Sequence, residues 1–130
     1  MPYVILYVAS AVVFFAADFV WLSNMADRLY RPALGDMMLA KPNLPVAGGF
    51  YLVYLLGLLL LVTVPANGDV WKALWMGAVF GFVAYGTYDL TNLSTLRGFT
   101  IQLVAIDMAW GTVLTAVSAA AAVWIAGFFV

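Results

Sequence analysis

The chain has 130 residues, of which 67% are hydrophobic and 8% charged, whereas soluble globular domains carry about 25% charged residues. This is the composition of an integral membrane protein, and the length allows a single domain of about four spans at roughly 20 residues each. A formal net charge of -1 with five basic residues excludes nucleic acid as a partner, and the lack of cysteine and histidine excludes thiol catalysis, disulfides, histidine-ligated haem and the usual zinc sites.

Pro2 to Ala17 carries no charge, and the apolar pattern resumes after Asp18, which predicts a first span over 3–26. A cleavable signal is not expected, because a basic leader is missing and the apolar run is too long. Residues 27–45 form the longest polar connection, with Arg28, Arg31, Asp36 and Lys41 among Pro32, Gly35, Pro42 and Pro45. Leu34, Met37 and Met38 give a short helix after Pro32 an apolar side, so a short interfacial segment is predicted there.

The second span, 47–64, is leucine-rich and is read as structural, with no chemistry expected from it. It stops at the turn Pro65-Ala66-Asn67-Gly68. Trp71, Lys72 and Trp75 mark the next interface, and the third span is predicted over 72–96. Its Gly77-x-x-x-Gly81 is a small-residue helix contact, for which packing is the default role. The same span ends in a polar run, Tyr85 to Arg97, in which Tyr85, Asp89, Asn92 and Thr95 share a helical face. After the turn at Gly98 the fourth span, 99–128, has Asp107 as its one charge, with Gly111, Thr115 and Ser118 on the same side. The expected fold is therefore an all-α integral membrane protein, four antiparallel transmembrane helices in one bundle.

Counting from the side of the first and third loops aligns the acids. Asp18 lies nine residues before Asp27, Asp89 eight before Arg97 and Asp107 ten after Arg97, which puts all three roughly 12–15 Å below the same interface. Each ionised Asp at mid-membrane costs about 2.5–3.5 kcal/mol on insertion scales, so the three must be compensated by protons, hydroxyl and amide donors, water or a bound cation. Tyr85, Tyr88, Thr91, Asn92, Trp21 and Trp110 lie in the same layer and are the expected ligand-binding residues. Asp89, beside Tyr85, Tyr88 and Asn92, is the candidate acid/base, and Asp18 and Asp107 are expected to orient it or share a proton. The opposing reading makes the acids latches that fix helix register.

These residues resemble the domain-of-unknown-function 2177 family of small bacterial membrane proteins. The resemblance is carried by Asp18-x-x-Trp21-Leu22, Tyr30, Phe50-Tyr51, Gly57, Gly77, Gly81, Asp107-x-x-Trp110-Gly111 and, most specifically, Tyr85-x-x-Tyr88-Asp89-Leu90-Thr91-Asn92-Leu93-x-Thr95-Leu96. It implies a four-span protein of the bacterial inner membrane. Through members encoded beside cyclopropane-type fatty-acid methyltransferases, it also implies a link to membrane-lipid metabolism.

The reading is a polar Asp/Tyr/Asn pocket that binds or modifies a membrane lipid or other small amphiphile. A proton- or cation-coupled transport element and a non-catalytic scaffold subunit are the alternatives. A pocket continuous with the lipid face favours the first, a wet path across both leaflets the second, and a dry, filled centre the third. No cofactor is expected. Three Asp oxygens could hold a hard cation such as Mg²⁺, but the spacing matches no known metal motif, so no metal site is assigned. Glycine and alanine faces favour self-association into a homo-oligomer. Arg28, Arg31, Lys41 and Arg97 on one side against Lys72 on the other place both termini outside the cytoplasm.

Overall fold

A computed structural model describes residues 2–38 and 43–129, and the secondary structure among them is entirely helical. A chain in hydrocarbon must satisfy its backbone internally, and uninterrupted helices do so. The four long elements are α1 (Tyr3–Met25), α3 (Leu44–Leu58), α5 (Val70–Thr95) and α6 (Ile101–Ala126), with short pieces α2 (Arg31–Leu34) and α4 (Val64–Ala66) between them. Three of the starts are capped by side chains. Asn43 accepts from the Val46 amide at 3.3 Å, Asp69 from Lys72 at 3.0 Å and Thr100 from Leu103 at 3.1 Å. Gly98, at φ 86, supplies the left-handed backbone of the tight turn between α5 and α6.

Two π-helical segments, Ala26–Tyr30 and Leu59–Thr63, each end two residues before a proline, Pro32 and Pro65. A proline ring collides with the carbonyl four residues earlier, and widening the preceding turn by one residue relieves the collision without ending the helix. The predicted separate helix after Pro32 is thus a continuation of α1, which runs on through the π turn and α2 to Met37. That run of 35 residues is far longer than a bilayer core requires, so its last turns lie at the interface, where Asp27 and Arg31 pair in the open at 2.8 Å. Of the residues counted in the orientation argument, Lys41 lies outside the described residues.

Three helical runs among the described residues are long and apolar enough to cross a membrane: Tyr3–Met37, Leu44–Ala66 and Ile101–Ala126. α5 has the same 26 residues as α6 but is less apolar, because its last third holds Thr87, Asp89, Thr91, Asn92, Ser94 and Thr95. It nonetheless makes the most extensive helix–helix contact in the bundle, an antiparallel hairpin with α6. Glycine permits this contact. A β-carbon on Gly81 would stand 2.6 Å from the Gly111 carbonyl oxygen and 2.8 Å from the Thr115 side chain, and one on Gly77 would stand 3.0 Å from the α6 backbone. Gly81→Ala is therefore expected to lower stability by about 1–3 kcal/mol, read as a drop in thermal midpoint in mild detergent. Gly49→Ala, whose β-carbon would meet nothing within 4 Å, should leave the midpoint unchanged or raise it.

Apolar packing falls into two bodies. The larger, including Leu6, Phe14, Leu55, Leu58, Leu114 and Val123, fills the end of the bundle that holds the termini. The smaller, Leu29, Phe99, Leu103, Val104 and Met108, closes the opposite end beneath the α5–α6 turn. The polar residues lie between them.

A lateral cleft with two carboxyls at its inner end

α3 joins the bundle only through its second half. Tyr54, Leu55 and Leu58 are buried, and a β-carbon on Gly57 would sit 3.3 Å from the Phe80 ring of α5. Towards its N-terminus the helix stands away, leaving Leu44, Val46, Phe50 and Val53 exposed. The space this opens is a cleft of about 670 Å³ bounded by α1, α3, α5 and α6, within the range of about 300–1,000 Å³ typical of ligand sites. Val46, Phe50 and Tyr88 belong both to its lining and to the outer surface of the bundle. On a membrane-spanning bundle that outer surface is the lipid face.

Asp18 and Asp107, each 6% exposed, form the inner end of the cleft. Neutral donors hold them. Tyr51 of α3 donates its hydroxyl to Asp18 Oδ2 at 2.8 Å, and Trp110 of α6 donates Nε1–H to Asp18 Oδ1 at 3.2 Å. Tyr30, delivered by the π turn before Pro32, donates to Asp107 Oδ1 and accepts from Trp21 Nε1 at 2.9 Å. The two indoles, Trp21 and Trp110, stack with centroids 4.5 Å apart and planes 6° from parallel, locking α1 to α6 next to the acids. Deeper, Tyr54 and Thr115 share a hydrogen bond of 2.8 Å.

Asp89 behaves differently from expectation. It is 1% exposed and faces α6, following the stripe of Ala73, Gly77 and Gly81 down α5, rather than the cleft. Its neighbour is Asp107, and neither of its carboxyl oxygens accepts a hydrogen bond from Tyr85, Tyr88, Asn92 or any other described residue. Asn92 is half-buried and Thr91 exposed, and neither lines the cleft. Tyr85 and Tyr88 do line it, with the Tyr85 ring lying against Gly111 so closely that a β-carbon there would fall 2.2 Å from the ring. Trp21 supports the site from behind, through Tyr30 and Trp110.

The acids thus run in a row, Asp18 to Asp107 through Trp110, Trp21 and Tyr30, and Asp107 to Asp89 directly, with no lysine or arginine lining the cleft among the described residues. Among the described residues no group of three or more acidic side chains is arranged to hold a metal ion. Tyr30, Tyr51 and Tyr54 were not among the expected site residues, and the second span, read as purely structural, contributes two of them. The sign of Tyr51 and Tyr54 is a pair of phenols within an otherwise apolar run, whereas Tyr30 lies in the polar connection between Arg28 and Arg31.

An all-α bundle with several helices apolar enough to span a bilayer and a polar recess between them is the architecture of a multi-pass membrane protein. The family model described as "Predicted membrane protein (DUF2177)" matches residues 3–124, and the chain belongs to that family. No curated protein and no solved structure matches it.

Proposed function

We propose that the protein binds a membrane lipid or similar amphiphile from the side, through the gap between α3 and α5. The head group would reach Asp18, Asp107 and the tyrosines around them, and the chain would lie along Phe14, Leu22, Ala47 and Phe50. The observation that carries this reading is the continuity of the cleft, which joins buried carboxyls to residues on the outer face of the bundle. Neither a polar path through both leaflets nor a filled, dry centre explains such a side opening. Asp89, lying outside the cleft, acts in this reading on Asp107 and not on the ligand.

Native mass spectrometry of the chain purified in mild detergent is expected to show one co-purifying amphiphile per chain. Ala47→Trp, which fills the cleft from its exposed wall, should abolish the adduct at an unchanged thermal midpoint. A wild-type protein without adduct, or an adduct that survives Ala47→Trp, sinks the reading. The same spectra read whether the chain self-associates.

The proposed location is the bacterial inner membrane with both termini outside the cytoplasm, supported by Arg28, Arg31 and Arg97 at the end where the acids approach the surface. Alkaline phosphatase fused after Val130 should be active, and the same reporter fused at Asp36 inactive. The reverse pattern would invert the protein in the membrane.

A further inference from the structure

The groups the cleft presents are more selective than its shape. The donors that touch the two carboxyls are committed inside the protein, Tyr51 and Trp110 to Asp18 and Tyr30 to Asp107, whereas Tyr85, which also lines the cleft, keeps a free hydroxyl. What remains for a ligand is mainly the spare lone pairs of two carboxyls, since each carboxylate can accept about four hydrogen bonds, with the Tyr85 hydroxyl and the aromatic rings of the lining. Eight of the fourteen lining residues are aromatic, five of them tyrosines, and none is basic. Behind Asp107 stands a third acid, Asp89, without a donor of its own.

Each class of head group meets this surface differently. A phosphate or carboxylate head would face like charges with no lysine or arginine among the described lining residues to offset them. An uncharged polyol would find acceptors but few free donors, leaving its own oxygens unpaired. An ammonium group is attracted by the carboxyls and by the negative faces of tyrosine and tryptophan, which together form the kind of aromatic cage that takes quaternary ammonium ions. A cation there would also relieve the cost of keeping Asp18 and Asp107 ionised beneath the membrane surface.

We infer that the cleft recognises an amphiphile carrying an ammonium head group, seated between Asp18 and Asp107 and walled by the cleft tyrosines and Trp110. This rests on the lateral-binding reading above and adds the chemistry of the head. The chain length and the number of acyl groups are set by the open outer half of the cleft and are not selected by these residues.

The test uses the full chain in maltoside micelles, titrated with dodecyltrimethylammonium, dodecyl sulfate, 1-dodecylglycerol or chainless tetramethylammonium, with occupancy read by native mass spectrometry. The ammonium amphiphile is expected to bind one per chain, roughly tenfold or more tighter than either chain-matched competitor, a gap of about 1.4 kcal/mol or more. The Asp18→Asn/Asp107→Asn double variant should lose that preference, and a thermal midpoint close to that of the wild type certifies that the cleft still folds. Equal binding of ammonium and glycerol heads by the wild type would overturn the ammonium inference and leave lateral binding standing. No saturable binding of any dodecyl compound would overturn both. Tetramethylammonium binding as tightly as its dodecyl form would assign the site to a free amine and overturn the amphiphile.

Discussion

Asp89→Asn is expected to make the protein more stable and less functional. A buried carboxyl without a donor is among the most costly groups a fold can hold, and Asp89 has no donor from any described residue at 1% exposure. Its neighbour, Asp107, is also an acid, so the contact can be favourable only if a proton lies between them. Asparagine has nearly the same shape, brings an N–H₂ that can donate to Asp107, and removes one acid from the row. The expected gain is about 1–3 kcal/mol, read as a rise in thermal midpoint in detergent. The same substitution removes a negative charge or an exchangeable proton behind Asp107, so occupancy of the cleft by a cationic amphiphile should fall. A latch would give the opposite result, a loss of stability with binding unchanged. Equal stability and equal binding would leave Asp89 with neither role.

Helical spacing placed Asp89 on one face with Tyr85, Asn92 and Thr95, and counting residues from the loops placed it at the depth of Asp18 and Asp107. The three acids do lie near one another, Asp18 and Asp107 in the cleft and Asp89 beside Asp107. The facing direction is different, because it is set by the closest contact along α5, where Gly77 and Gly81 draw the helix against Thr115, Ala116 and Ala119. That contact turns Asp89 towards α6 while Tyr85 and Tyr88 edge the cleft. Asn92 and Thr91, one turn further, fall outside it. The glycine pair was visible in the sequence, but which helix it would meet was not.

The phenols are hidden in the sequence for a different reason. Tyrosine counts as hydrophobic in a span, and its hydroxyl sits about one helical turn from its own backbone, so its polar end acts at a depth its sequence position does not give. Tyr30 adds a second difficulty. Its aim depends on the π turn over Ala26–Tyr30, and the only sequence sign of that turn is Pro32. The outer half of α3 posed the third. Its exposed Val46 and Phe50 look like any lipid-facing pair until the splay of the helix turns them into one wall of a cleft.

Trp110→Ala is expected to be the most damaging single change in the site. The indole does three things at once: it stacks on Trp21 across the α1–α6 contact, it donates to Asp18, and it walls the cleft. Losing the stack forfeits roughly 0.5–1.5 kcal/mol beyond the area it buries. Losing the donor to a buried carboxyl adds about 1.5–3 kcal/mol, because Asp18 keeps only Tyr51. Trp110→Ala should therefore destabilise the chain by about 3–5 kcal/mol, close to the cost of emptying a core aromatic position. Trp110→Phe separates the contributions. It retains a ring to pack against Trp21 but has no N–H, so it should recover more than half of the lost stability while still weakening the hold on Asp18. Tyr51→Phe in the same background removes the second donor to that carboxyl, and the two losses should be more than additive, since each single variant leaves Asp18 one partner and the double variant leaves none. A double variant whose thermal midpoint falls only by the sum of the single shifts would mean that Asp18 finds its hydrogen bonds elsewhere, and the two-donor cradle would have to be abandoned.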